Sequence, residues 1–226
     1  MRNKRIIKTT EIHNFVCENC GFVMPLPRDT SNLRELNHIK NLYCPRCKQE
    51  RKFKEYRDWE EIPKPQIFFI SDLHLNHKNI IEYCNRPFKD VDKMNSALIK
   101  NWNSVVNNND YVFFLGDFAL GPKECFAKFF KCLNGKKIFL FGNHDHFSAS
   151  FIEDCGALFV TKKPMSFCYN SKEYFLSHAP KDVERNIHGH VHNNRENDKN
   201  HFNVSAEAIN YKPINIKKIE KYFLQL

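Results

Sequence analysis

No stretch of the 226 residues approaches the roughly 20 uncharged apolar residues that a membrane span needs, and the opening Met1-Arg-Asn-Lys-Arg leads into no apolar signal segment. Both absences create the expectation of a cytoplasmic protein with no membrane partner. Glycine is scarce, at 7, while Lys and Asn are abundant, a bias that AT-rich coding sequence alone produces. The net charge of +9 is therefore a weak pointer to a polyanionic partner. An even set of disulfide partners is also missing. The cysteines number nine, and four of them sit in two Cys-x-x-Cys pairs, which fits metal binding in a reducing compartment better than a disulfide framework. The other five, Cys84, Cys125, Cys132, Cys155 and Cys168, lie among apolar residues and are expected as small core side chains. Internal repeats and low-complexity tracts are absent.

What is present is apolar mass: 42% hydrophobic residues and 21 Phe can build a sizeable core. The segment from Asp58 to Gln66 is acidic, contains two prolines and has no periodicity, so it reads as a connection between modules. The expected domains are 1–62, a small metal module with its linker, and 63–226. Beyond the linker, short apolar runs alternate with helical patterns. Strands are expected at Ile67–Ile70, Tyr111–Leu115 and Ile138–Phe141, and helices at Asn79–Tyr83, Asp92–Val106 and Lys123–Leu133. That alternation is α/β. After Phe151 the strand-like pieces Leu158–Thr161, Ser166–Tyr169, Tyr174–Ser177 and Phe202–Ala206 follow closely, which predicts a second, more antiparallel sheet.

Cys17-Glu-Asn-Cys20-Gly21 and Cys44-Pro-Arg-Cys47 form two knuckles, each tight enough to put two thiolates on one metal. Together they predict a four-cysteine structural zinc site, with His13 and His38 as the alternative donors. The arrangement resembles zinc ribbons over about residues 11–55. So short a segment buries little apolar area, and a bound metal supplies folding free energy. Residues 1–66 carry 14 Lys and Arg against 9 Asp and Glu, and a basic run (Arg46, Lys48, Arg51, Lys52, Lys54) follows the second knuckle. Nucleic acid is therefore one candidate partner of the module, and a solvated charged face is the bland reading.

The three expected strands end at Ser71-Asp72-Leu-His74, Gly116-Asp117 and Gly142-Asn143-His144-Asp145, and two further His-bearing turns place His178, His190 and His192. Groups at the carboxyl ends of strands in an α/β sheet converge on one edge. Oxygen and imidazole donors without thiolates suit Mn, Fe, Zn or Ni. These motifs, closing with Gly189-His190-x-His192, resemble the calcineurin-like metallophosphoesterase family over about residues 67–213. The stretch from Ser71 to Ile81, with Asn85-Arg-Pro-Phe, is similar to a compact bacterial and phage branch.

The resemblance implies a four-layer α-β-β-α sandwich with two divalent transition metals. Asp72, His74 and His192 would hold one, Asn143, His178 and His190 the other, and Asp117 would bridge. A hydroxide activated by both metals would attack a phosphoester. His144 would then serve the leaving oxygen while Asp145 orients its ring, and His77 and Arg86 are candidate substrate contacts. Residues 67–226 leave little room for cap domains, so an open site is expected. Three readings follow: a phosphodiesterase for a nucleotide-type or other small diester, a nuclease whose strand is held by the zinc module, and a binding protein on the same fold. The completeness of the donor set argues against the last.

Overall fold

The computed structural model describes residues 10–29, 38–194 and 197–225. The chain divides into two compact units, one up to Pro65 and one from Gln66.

The first unit is a four-stranded antiparallel sheet made of β1 (Thr10–Cys17), β2 (Val23–Asp29), β3 (Ile39–Cys44) and β4 (Gln49–Tyr56), in the order β2-β1-β4-β3. Its core is small: Phe15, Cys17, Cys44 and Phe53 are fully buried. A half-buried ion pair ties β2 to β4, the Arg28 guanidinium donating through Nε and Nη2 to both Glu55 oxygens at 2.8 and 2.9 Å. His13 is drawn into that pair, its Nδ1 2.7 Å from Glu55 Oε1, and so is not a spare metal donor.

The second unit opens with β5 (Ile67–Ile70), α1 (Ile80–Tyr83), α2 (Val91–Asn103), β6 (Tyr111–Phe114), α3 (Lys123–Cys132), β7 (Lys136–Leu140), α4 (Ala149–Asp154) and β8 (Phe159–Thr161). Strands β5 to β8 pair in parallel and in sequence order. Successive parallel crossovers of one hand advancing in one direction put all their helices on the same sheet face. Asp90 caps α2 by accepting from Lys93 N at 2.8 Å, and the helix buries Met94, Leu98 and Trp102 on one stripe. With Phe126 and Phe130 of α3, and Phe114 and Phe139 of the sheet, they form a core rich in phenylalanine.

The chain continues through β9 (Met165–Tyr169), β10 (Lys172–Ser177), β11 (Asn186–His188), β12 (His201–Asn203), β13 (Ile214–Asn215) and α5 (Ile216–Leu224). The second sheet has the order β12-β11-β10-β9, while β13 joins the edge of the first sheet beside β5. Phe69, Leu115 and Leu140 of the first sheet meet Tyr174, Leu176, Ile187 and Phe202 of the second, and α5 adds Ile216 and Ile219 to this second core. The architecture is the α/β sandwich of α-β-β-α type, behind a four-cysteine module.

Three details correct the sequence reading. Only the β9–β10 pair of the second sheet is antiparallel; β10–β11 and β11–β12 are parallel, because a long loop returns the chain to the same end each time. The segment at Leu158–Thr161 contributes β8 to the first sheet, since α4 carries the chain across to β7. Cys132 and Cys168 are exposed and Cys125 is half-buried, so only Cys84 and Cys155 of the five expected core cysteines are core.

Candidate metal centre

In the first unit the four thiols of Cys17, Cys20, Cys44 and Cys47 lie within 4.8 Å of one another. The Cys17–Cys47 and Cys20–Cys44 sulfurs are 4.0 and 3.5 Å apart. Tetrahedral zinc with bonds of about 2.3 Å spaces its sulfurs by roughly 3.8 Å, so the cluster has the size of a zinc site. Burial pushes the thiols of Cys17 and Cys20 up, and a cation is what would stabilise them as thiolates.

In the second unit the donors come from the ends of five strands. The loop after β5 runs beside the loop after β6: Asp72 N donates to Gly116 O at 2.9 Å, His74 N to Asp117 O at 3.1 Å and Leu75 N to Phe118 O at 2.9 Å. Asp72, His74, Asp117, His190 and His192 all have positive φ, between 48 and 72°. Non-glycine residues enter that region at a cost, and such strain concentrates where the surrounding structure fixes a functional side chain. Close approach explains two glycines. A Cβ on Gly142 would strike Asp117 Oδ1, and one on Gly189 would strike Ser71 Oγ and Asp72 Oδ2.

All seven expected donors are brought together. Asp117 uses Oδ1 to accept from His144 N at 2.8 Å, leaving Oδ2 3.6 Å from His74 Nε2 and 3.4 Å from His178 Nε2. On one side of it stand Asp72, His74 and His192. On the other, Asn143 Oδ1, His178 Nε2 and His190 Nδ1 are 2.8, 2.9 and 3.2 Å apart pairwise. Adjacent donors around a six-coordinate metal with bonds of about 2.1 Å are spaced about 3.0 Å apart.

Polar satisfaction supplies the test of fit. Asp72 is fully buried, its Oδ2 accepts from His190 N at 2.8 Å, and its Oδ1 is buried without a donor, as are both ring nitrogens of His74. Stranding such groups costs about 1–3 kcal/mol each, and divalent cations would satisfy them. Burial raises the Asp72 carboxyl and pulls the His74 imidazole down to about 3, so His74 is a neutral donor. Burial also opposes charge on His178, but the Asp117 hydrogen bond and the nearby carboxylates outweigh it and lift His178 to about 9. That proton occupies the role a cation would take. His178 Nδ1 donates to Leu115 O at 2.7 Å, which aims Nε2 into the cluster.

The outer residues depart from expectation. The Asp145 carboxylate does not orient the His144 ring; it accepts from the amides of Asp117, Phe118 and Gly142 at 2.8, 3.0 and 2.8 Å, tying the loops after β6 and β7 together. Arg86 is 3% exposed and donates to Asp72 O, Leu73 O and Glu207, so its guanidinium is out of substrate reach. His144 is exposed, its ring 5.4 Å from that of His74. His77 is half-buried with its ring 5.5 Å from His74 and 6.1 Å from Tyr83. Sequence reasoning missed Glu207, whose Oε1 and Oε2 lie 3.1 Å from His192 Nδ1. The signal available was a lone Glu just after the expected strand Phe202–Ala206.

The family model of calcineurin-like phosphoesterases matches residues 65–216. The chain belongs to that family. An uncharacterized protein of Methanocaldococcus jannaschii is 40% identical over 173 residues, covering 69% of this chain and 90% of the relative. The gene 66 protein of Mycobacterium phage L5 is 36% identical over 81 residues, 34% of this chain and 39% of the phage protein. Among solved structures, a protein of unknown function from Aquifex aeolicus superposes with a TM-score of 0.58 at 27% identity, over 70% of this chain and all of that one. Membership makes this a metal-dependent phosphoester hydrolase. No helix among the described residues is long and apolar enough to cross a membrane.

Proposed function

We propose that the chain is a phosphodiesterase acting on a nucleotide-type or other small phosphodiester. The observation that supports this reading is Asp117 Oδ2, which lies 3.6 Å from His74 Nε2 and 3.4 Å from His178 Nε2. Asp72, His74 and His192 would hold one divalent cation and Asn143, His178 and His190 a second, of the Mn, Fe, Zn or Ni kind; bound there, the pair neutralises phosphate oxygens and acidifies a water. Held at its backbone by Asp117 while its ring stays exposed, His144 is free to give a proton to the departing oxygen. Tyr83, 71% exposed beside His77, offers a ring face on which a base can stack, which favours a nucleotide-type diester over an alkyl one. Four cysteine ligands in the first unit would hold one zinc.

The test is manganese-supplemented hydrolysis of a chromogenic phosphodiester and the matching monoester. His144→Ala should lower kcat on the diester by about 10²- to 10⁴-fold with metal content unchanged. Undiminished turnover would remove His144 from the chemistry, and turnover of the monoester alone would end the diesterase reading.

One observation favours a nuclease as the second reading. Pairing of Ile39 with Lys54, Asn41 with Lys52 and Tyr43 with Glu50 puts Tyr43, Lys52 and Lys54 on one face of the first unit, Tyr43 being 59% exposed and Lys54 Nζ lying 5.4 Å from the Tyr56 ring. Aromatic and cationic side chains together suit a single strand. Polynucleotide cleavage that falls steeply with salt and with Lys52→Glu would select this reading.

A further inference from the structure

We propose that Glu207 and Arg86 are a positioning pair that fixes His192 as a metal donor and seats the Asp72 loop against it. The inference rests on the two-metal reading above and extends it to a carboxylate that touches no metal. Arg86 carries only donors and stays charged, so the Glu207 oxygen 2.7 Å from its Nε and Nη2 is an acceptor and the carboxylate is ionised. Both Glu207 oxygens lie 3.1 Å from His192 Nδ1, and a carboxylate can only accept there. Nδ1 therefore carries the hydrogen, and in the neutral imidazole the lone pair is left on Nε2.

The other arms of Arg86 reach the metal loop itself, donating to Leu73 O at 2.8 Å and Asp72 O at 2.7 Å. One guanidinium thus joins the loop after β5 to the loop after β12, and through Glu207 to the loop after β11. The pair is deeply buried, with side-chain exposures of 0% for Arg86 and 4% for Glu207, where charge-assisted hydrogen bonds hold geometry best. The two metal positions differ in this respect. His178 is aimed by a backbone carbonyl, Leu115 O, whereas His192 has a charged side chain behind it.

The experiment is a Mn(II) titration of the full-length protein after mild chelation, reading the free-ion signal by electron paramagnetic resonance. Manganese prefers oxygen and nitrogen donors and leaves a thiolate cluster alone. Glu207→Ala should weaken one of the two binding steps about 10- to 100-fold and shift the other by less than about threefold. Glu207→Gln, whose carbonyl still accepts from Nδ1, should fall between Ala and the parent, and circular dichroism should show all three folded. Equal weakening of both steps, or a folded Glu207→Ala that binds like the parent, would overturn the positioning role, as would a Gln variant no better than Ala. A parent that binds no Mn(II) would sink the two-metal reading together with this one.

Discussion

Lys137, the second residue of β7, is 7% exposed and far from ordinary in its charge. Burial pulls its pKa down to about 8, although Nζ donates to Leu133 O at 2.7 Å and Gly135 O at 3.1 Å. The folded value lies below the unfolded one of about 10.5, so the unfolded chain binds more protons between those limits. The cost of the buried ammonium is therefore fully present below about pH 8 and is relieved as pH climbs towards 10.5. Unfolding free energies of Lys137→Met and the parent, compared by denaturant titration, should show the variant-minus-parent difference falling by about 2 kcal/mol between pH 7 and 9.5. A difference that stays flat would mean the ammonium is not destabilised. The same scale explains why two site residues were misread from sequence. Asp145 carries a charge suited to orienting the His144 ring and Arg86 one suited to a phosphate, but only a structure shows that backbone groups already occupy them.

At the scale of elements, loops after strands do the positioning, and small residues decide whether they can. Gly189 lets the loop after β11 pass against Ser71 and Asp72. Gly189→Ala should force that loop outward, break the His190 N to Asp72 hydrogen bond and weaken Mn(II) binding at least tenfold, read by the same titration; parent-like binding would show that the loop yields freely. Elements with strong local signals were legible. The Met94, Leu98 and Trp102 stripe gives α2, and the apolar runs give β5, β6 and β7. Three-residue β11 and two-residue β13 were not, because runs that short exist only through their neighbours. Glu207 escaped for a related reason. Its partner Arg86 is 121 positions away, and no local pattern links them.

At the scale of the molecule, the chain combines a module with a very small core and a unit with two large ones. The division predicts unequal dependence on metal. Cys44→Ser should lose one equivalent of zinc and make the first unit sensitive to protease, while turnover of a small diester stays within about threefold. Loss of small-diester turnover with the active-site metals still bound would show that the module takes part in the chemistry.

The donors after β5, β6 and β7 come from one sheet and those after β10 and β11 from the other, so the candidate centre lies across the seam of the sandwich. An ion bound there would act as a rivet between two layers, added to the side-chain packing and the hydrogen bonds that already join them. Melting temperature then becomes a reporter of occupancy that needs no substrate. Metal at a hundred times its dissociation constant should add about 2.7 kcal/mol per site, and the ranking of Mn, Fe, Zn and Ni by their shifts at one common concentration would order the cations by affinity before any ester has been tried.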